Sequence, residues 1–257
     1  MIIRAVKKPT ALIISVIAVV FIVLCSIAKT TGAYAVYFNG STRLLPIYSV
    51  ERDDNKISIS FDCAYGAEYT KQLLDILDEY NVKCTFFCVE FWVLKYPDMV
   101  KEISKRGHEI GTHSKTHPKM STISEEKIKE ELTSSVDKIE SITGVKVELF
   151  RPPFGDYNNT LIKVANSLNL YTIQWDVDSI DWKDISAKQI TERVVKKTKS
   201  GSIILCHNNA LHTAEALPYI LSNLKEKGYE FVTIGSLIYK ENYKINSFGV
   251  QIKNEQH

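Results

Sequence analysis

The sequence predicts an α/β fold behind an N-terminal transmembrane helix. The α/β part is expected as a closed or nearly closed (β/α)7 barrel, or as an open, mostly parallel sheet. Three observations lead there. A long apolar run lies near the start. From residue 56 onward, short β-prone segments alternate with longer amphipathic ones. Ionisable residues collect just after the β-prone segments.

The apolar run comes first. Arg4, Lys7 and Lys8 make residues 1–10 a basic flank, and Ala11 to Ala28 then carries no charge and no proline. A run of about 18 residues can roughly cross a hydrocarbon core of about 30 Å. Positive residues ahead of it favour a cytoplasmic N-terminus, with the rest of the chain exported. A buried core helix is disfavoured, because the run is uniformly apolar with no polar face. A cleaved signal peptide is the alternative, with Ala33-Tyr34-Ala35 as the small-residue cleavage site and a secreted product. The length of the run fits a retained anchor better. The expected location is therefore membrane-anchored, with the domain that follows extracytoplasmic. Residues 29–55 then read as a stalk and 241–257 as a polar tail.

Composition narrows the rest. The chain has 257 residues, of which 45% are hydrophobic, which argues against disorder. Its 32 basic and 30 acidic residues nearly cancel at +2. A nucleic-acid partner is not expected, because such chains usually show a basic stripe.

Between residues 56 and 240 the elements come in order. Ile57 to Phe61 alternates with period two, as a half-buried strand does. Thr70 to Tyr80 puts Leu73, Leu74, Leu77 and Tyr80 on one helical face. Thr85 to Val89 is a second strand, Met99 to Lys105 a helix ended by Gly107, and His108 to Thr112 a strand. Ser124 caps a long helix stopped at Gly144. Strands at 147–150, 170–174, 202–206 and 230–233 alternate with helices at 160–168, 186–198 and 215–227. About seven strands alternating with helices predict a parallel sheet with helices outside it.

Of the five cysteines, Cys25 lies in the apolar run. Cys84 and Cys88 are four apart on one strand, roughly 13 Å between Cα atoms. A disulfide needs less than about 7 Å, so both are expected as small core residues.

In folds of this class, sites gather at the carboxyl ends of the parallel strands. Asp62-Cys63 follows the first strand and His113-Ser114-Lys115-Thr116-His117-Pro118 the third. Arg151-Pro152-Pro153-Phe154-Gly155 follows the fourth, Asp176 to Trp182 the fifth, and His207 the sixth. Any one of these has a plain structural explanation. Five consecutive strand exits with such residues point instead to a site.

The order and spacing of Ser60-Phe61-Asp62, His113 to Pro118, Arg151 to Gly155, Asp178-Ser179-Ile180-Asp181-Trp182 and Leu205-Cys206-His207 resemble a known family. It is the NodB-homology polysaccharide deacetylases, carbohydrate esterase family 4, over roughly residues 56–240. Phe61 to Gly66 and Thr213 to Pro218 look most like its sporulation-associated branch. The fold class expected is then a distorted (β/α)7 barrel. The resemblance implies that Asp62 is the general base, that His113 and His117 hold a divalent metal such as zinc, and that Arg151 orients the base. It implies that His207 is the acid, tuned by Asp181, and that Trp182 forms an apolar wall, with Phe154 beside the substrate. The implied reaction removes acetyl from an N-acetylated polysaccharide, peptidoglycan or chitin-like, in the cell wall or during sporulation.

One position departs from the pattern. The family's first motif reads Phe-Asp-Asp, and its second Asp is the third metal ligand. Here Cys63 stands there. It can ligate as a thiolate, completing a Cys-His-His set suited to zinc. It can be only a small residue, leaving two histidines, water and Glu68 in reserve. Or the domain binds glycan without turning it over. Cys206 is expected to face the barrel wall rather than the site, since neighbours on a strand point to opposite sides.

Overall fold

A computed structural model describes residues 13, 16–24, 26 and 43–254, in two units, 1–43 and 44–257. In the first unit, the described residues Ile13, Val16 to Leu24 and Ser26 are helical and exposed. The other positions of the expected anchor at 11–28, and residues 29–42 of the expected stalk, lie outside the described residues. Among the described residues, no helix is long and apolar enough to cross a membrane.

The second unit is built on parallel strands. They are β1 (Ser49–Val50), β2 (Lys56–Cys63), β3 (Thr85–Cys88), β4 (Glu109–Thr112), β5 (Leu149–Phe150), β6 (Tyr171–Thr172), β7 (Val177–Asp178), β8 (Ile203–His207) and β9 (Glu230–Phe231), followed by β10 (Tyr243–Ile245) and β11 (Val250–Lys253). The main sheet runs β6-β5-β4-β3-β2-β8-β7, with β9 beside the first residues of β2, and every pairing in it is parallel. The two ends of this order, β6 and β7, are consecutive in the chain but unpaired with each other. The architecture is thus a seven-stranded barrel opened at one seam, as expected for the distorted form.

Helices α1 (Thr70–Glu79), α2 (Glu90–Lys95), α3 (Pro97–Lys105), α4 (Glu125–Thr143), α5 (Asn159–Ser167), α6 (Ala187–Lys197), α7 (Thr213–Glu226) and α8 (Ile234–Leu237) connect the strands. Their ends follow from local chemistry. The Ser124 hydroxyl accepts from the Lys127 amide at the start of α4, and Gly144 closes that helix in the left-handed region at φ 69°. Ser186 and Gln189 form a reciprocal capping box on α6. Leu73, Leu74 and Leu77 of α1 are fully buried, as their spacing predicted.

Both ends of the second unit differ from the expectation of stalk and tail. β1 pairs with β11 and β11 with β10, so 49–50 and 243–253 form a small three-stranded sheet. Ile47 bridges Ile173 beside β6, and Ser49 bridges Ser202 at the foot of β8. One short segment thereby bonds to both sides of the open seam. Ile47 and Val50 are each only 2% exposed. Gly201, at φ 78°, accommodates this crossing: a Cβ there would lie 1.7 Å from the Val50 carbonyl oxygen. Polar composition hid these strands, since strands of two to four residues carry little readable alternation.

Candidate active site

The site is assembled at the carboxyl ends of the strands. β2 and β8 are paired in register so that Asp62 lies directly opposite His207. Side chains opposite each other on neighbouring strands share a face, so both project into one cavity of about 560 Å³. His113 and His117, in the loop after β4, line the same cavity, as do Phe154 and Trp182. Asp62, His113, His117, Phe154, Trp182 and His207 are therefore brought together as predicted.

Two further predicted residues stand behind these. Arg151, fully buried, donates from Nη1 to Asp62 Oδ1 at 2.7 Å and from Nη2 to the Gln174 carbonyl at 3.3 Å. Its guanidinium lies over the Phe87 ring, 4.1 Å from the centroid. Gly111 leaves room for that ring, because a Cβ at 111 would sit 2.6 Å from it. Asp181, also fully buried, accepts from His207 Nδ1 at 2.7 Å, from the His207 amide at 2.8 Å and from the Thr213 hydroxyl at 2.6 Å. The bond to Asp181 fixes the ring and leaves His207 Nε2 for the cavity.

These partners set the charges. Burial alone would raise the Asp62 pKa, but Arg151, then His113 and His207, hold it below the usual carboxylate value. Burial alone would lower the His207 pKa, but the bond to Asp181 and its charge raise it above the usual imidazole value. One face of the cavity thus carries a deprotonated carboxylate and the other an imidazole poised to be protonated.

The histidine pair is different. His113 Nδ1 lies 2.7 Å from the Arg151 carbonyl oxygen, which can only accept, so Nδ1 carries the proton and Nε2 is bare. Burial lowers the His113 pKa. Burial, and then His113, lower that of His117 to about 4. Two neutral rings face each other, with Nε2 atoms 3.2 Å apart. Ligand atoms about 2.0–2.1 Å from a tetrahedral ion are about 3.3–3.4 Å from one another, so this separation suits two ligands of one cation. Asp62 Oδ2 is 3.5 Å from His113 Nε2.

Cys63 does not join them. It is fully buried in the apolar core, with Sγ 3.9 Å from the Phe61 carbonyl oxygen, and it is paired in register with Cys88. Burial, followed by Cys88, pushes its thiol well above the usual value, which disfavours the thiolate that ligation needs. The physical reason is the strand's alternation: with Asp62 facing the cavity, Cys63 must face the helices. Glu68, the expected reserve, does not line the cavity. Among the described residues, no three His, Cys, Asp or Glu side chains are arranged to hold an ion. Cys63, Cys84, Cys88 and Cys206 are all free thiols, and Cys206 packs in the core, as expected.

The loops that carry the site are strained. Ser114, His117, Phe154 and Ile180 have φ of 74°, 58°, 58° and 52°. For a β-branched residue such as Ile180 this is a true outlier, costing on the order of 1–3 kcal/mol. Asp178 Oδ1 accepts from the Ile180 amide at 2.7 Å, and Ser179 Oγ from the Asp181 amide at 3.3 Å. Side chains of the same motif therefore hold the turn that delivers Asp181.

Trp175 and Asn209 line the cavity but were not read from the sequence. Tyr65 and Thr213 also reach the site, and both lie in stretches singled out by the resemblance, though without a role assigned to them. Trp175 and Asn209 border segments that were read, the signal that could have found them.

Comparison with known proteins agrees with this geometry. Residues 49–173 match the family model described as Polysaccharide deacetylase. The uncharacterised protein YlxY of Bacillus subtilis is 36% identical over 193 residues, covering 75% of this chain but only 60% of that relative. A peptidoglycan-N-acetylglucosamine deacetylase of Bacillus cereus is 36% identical over 196 residues, covering 74% of this chain and 92% of that one. Among solved structures, a carbohydrate esterase family 4 pseudoenzyme from Bacillus anthracis matches with TM-score 0.72 and 36% identity, covering 75% and 68% of the two chains. A mutant of that pseudoenzyme is described as having restored enzymatic activity. By fold, site geometry and these likenesses, the chain belongs to the polysaccharide deacetylase family.

Proposed function

We propose that the chain is a metal-assisted hydrolase that removes N-acetyl groups from amino sugars of a cell-wall polysaccharide, with N-acetylated peptidoglycan as the favoured substrate. The observation that carries this reading is the pairing of Asp62 and His207 across one cavity, each locked by its own buried partner. Water adds to the acetyl carbonyl as Asp62 takes its proton. The C–N bond then breaks, acetate leaves, and protonated His207 gives its Nε2 proton to the departing amine. Arg151 keeps Asp62 ionised and aimed. Asp181 keeps His207 oriented and basic. When bound, a divalent ion held by His113 and His117 would supply Lewis-acid polarisation of the carbonyl, and two imidazoles favour zinc. Trp182 and Phe154, 57% and 65% exposed, offer aromatic faces to a sugar ring.

The run at 11–28 would tether this activity outside the membrane, or release it if cleaved. A role in sporulation rests on the likeness of Phe61 to Gly66 and Thr213 to Pro218 to that branch. The test is acetate release from N-acetylated peptidoglycan, chitin oligomers and xylan with zinc, cobalt or manganese present. Release from peptidoglycan ahead of xylan is expected. Release from xylan alone would contradict the substrate class.

A second reading is a glycan-binding protein without turnover. It is favoured by the placement of Cys63, which leaves the third corner of the metal site without the family's carboxylate. Glycan bound in pull-down, with no acetate released, would select it.

A further inference from the structure

The loop joining the two histidines packs against α4, and the contact between them is made by Glu131. Charged side chains are almost never fully buried unless partnered, yet Glu131 is 0% exposed on the same helix face as Ile128 and Leu132. All three of its hydrogen bonds go to the loop. Oε2 accepts from the Lys115 amide at 2.9 Å and the Thr116 amide at 2.7 Å, and Oε1 from the Thr116 hydroxyl at 2.7 Å. The Lys115 ammonium turns away, to Glu130 at 3.0 Å.

Those bonds complete the accounting of the amides from His113 to His117. The His113 amide goes to the Cys88 carbonyl, that of Ser114 to Thr112 Oγ1 and that of His117 to Ser114 Oγ. Without Glu131 the Lys115 and Thr116 amides would lose these partners. The same stretch holds two left-handed non-glycine residues, Ser114 and His117. Such strain persists only where the surroundings over-determine it.

We infer that Glu131 is a positioning residue that clamps the 114–117 loop so that His117 Nε2 meets His113 Nε2 at ligand spacing. It acts through the backbone, at a distance from the substrate. The inference rests on the reading of the two histidines as a metal pair, so its test includes a readout that needs no metal. In the intact chain, Glu131→Ala is expected to weaken zinc binding in chelator competition by about 10–100-fold, as loss of a supporting shell does. It should also expose the Lys115 and Thr116 amides to fast hydrogen exchange and shift the His117 ring nitrogens in ¹⁵N spectra. Glu131→Gln keeps an oxygen for the two amides and is expected to behave like wild type. Leu132→Ala, on the same helix, should lower stability and leave zinc affinity unchanged. If Glu131→Ala does not fold, Thr116→Val removes one of the three bonds at an exposed site, and the same ring shifts and a weaker zinc affinity are expected. Unchanged ring shifts and exchange in Glu131→Ala or Thr116→Val overturn the inference, as does equal zinc loss in Leu132→Ala. A wild type that binds no zinc sinks the metal reading instead, and the ring shifts and amide exchange then decide on Glu131.

Discussion

Asp62 and Arg151 form a buried ion pair whose value depends on both members. Removing the cation leaves a nearly buried carboxylate without its ion-pair partner. Arg151→Met is expected to cost about 3–5 kcal/mol of stability, read by denaturant unfolding. The Asp62 pKa should rise, because burial would lose its largest opponent and be countered by His113 and His207 alone. Asp181 does the converse for His207. A pKa raised in the folded state contributes stability that is complete below the unfolded value, near 6.5, and lost as pH rises through the folded value. Asp181→Asn should remove that pH-dependent increment from the unfolding profile and move the alkaline limb of activity to lower pH. An unmoved limb would mean His207 is not the acid. Cys63→Ala should keep bound zinc at wild-type stoichiometry by elemental analysis and cost about 1–2 kcal/mol as a core truncation. Loss of zinc in that variant would restore Cys63 as a ligand. Most of these residues were legible from type and spacing. The facing of Cys63 was not, because nothing in the spacing decides which of Asp62 and Cys63 turns toward the cavity.

At the scale of elements, long periodic helices were readable to within about two residues, the usual margin for their ends. The helix from 125 to 143 announces itself through Ser124, Gly144 and an apolar stripe. β7 was missed because Val177–Asp178 is too short to show a period. α2 was missed because Glu90–Lys95 is a single short helix wedged between strand and proline. The segment 44–50 was misread because its role depends on a seam in the barrel that only the fold creates. Truncation tests that role. A chain starting at residue 44 should unfold like the parent. One starting at residue 51 loses buried Ile47 and Val50, at about 1.5–3 kcal/mol each. Equal unfolding midpoints for the two truncations would show that the seam does not need this segment.

Across the whole molecule, the barrel converts five separate strand exits into one cavity with opposed acid and base. That convergence was foreseeable from the strand–helix alternation, because parallel strands present their carboxyl ends to one side. Where the seam opens was not, since pairing of β6 and β7 depends on long-range closure rather than on local pattern. The central claim is that Asp62 and His207 hydrolyse an N-acetyl amide. It is tested most directly by acetate released from N-acetylated peptidoglycan with zinc, cobalt or manganese present, comparing wild type with Asp62→Asn. Steady release by the wild type, falling by about 10²–10⁴-fold in the variant, is the predicted result. No release by the wild type with any of these ions, or equal release by both proteins, would contradict it.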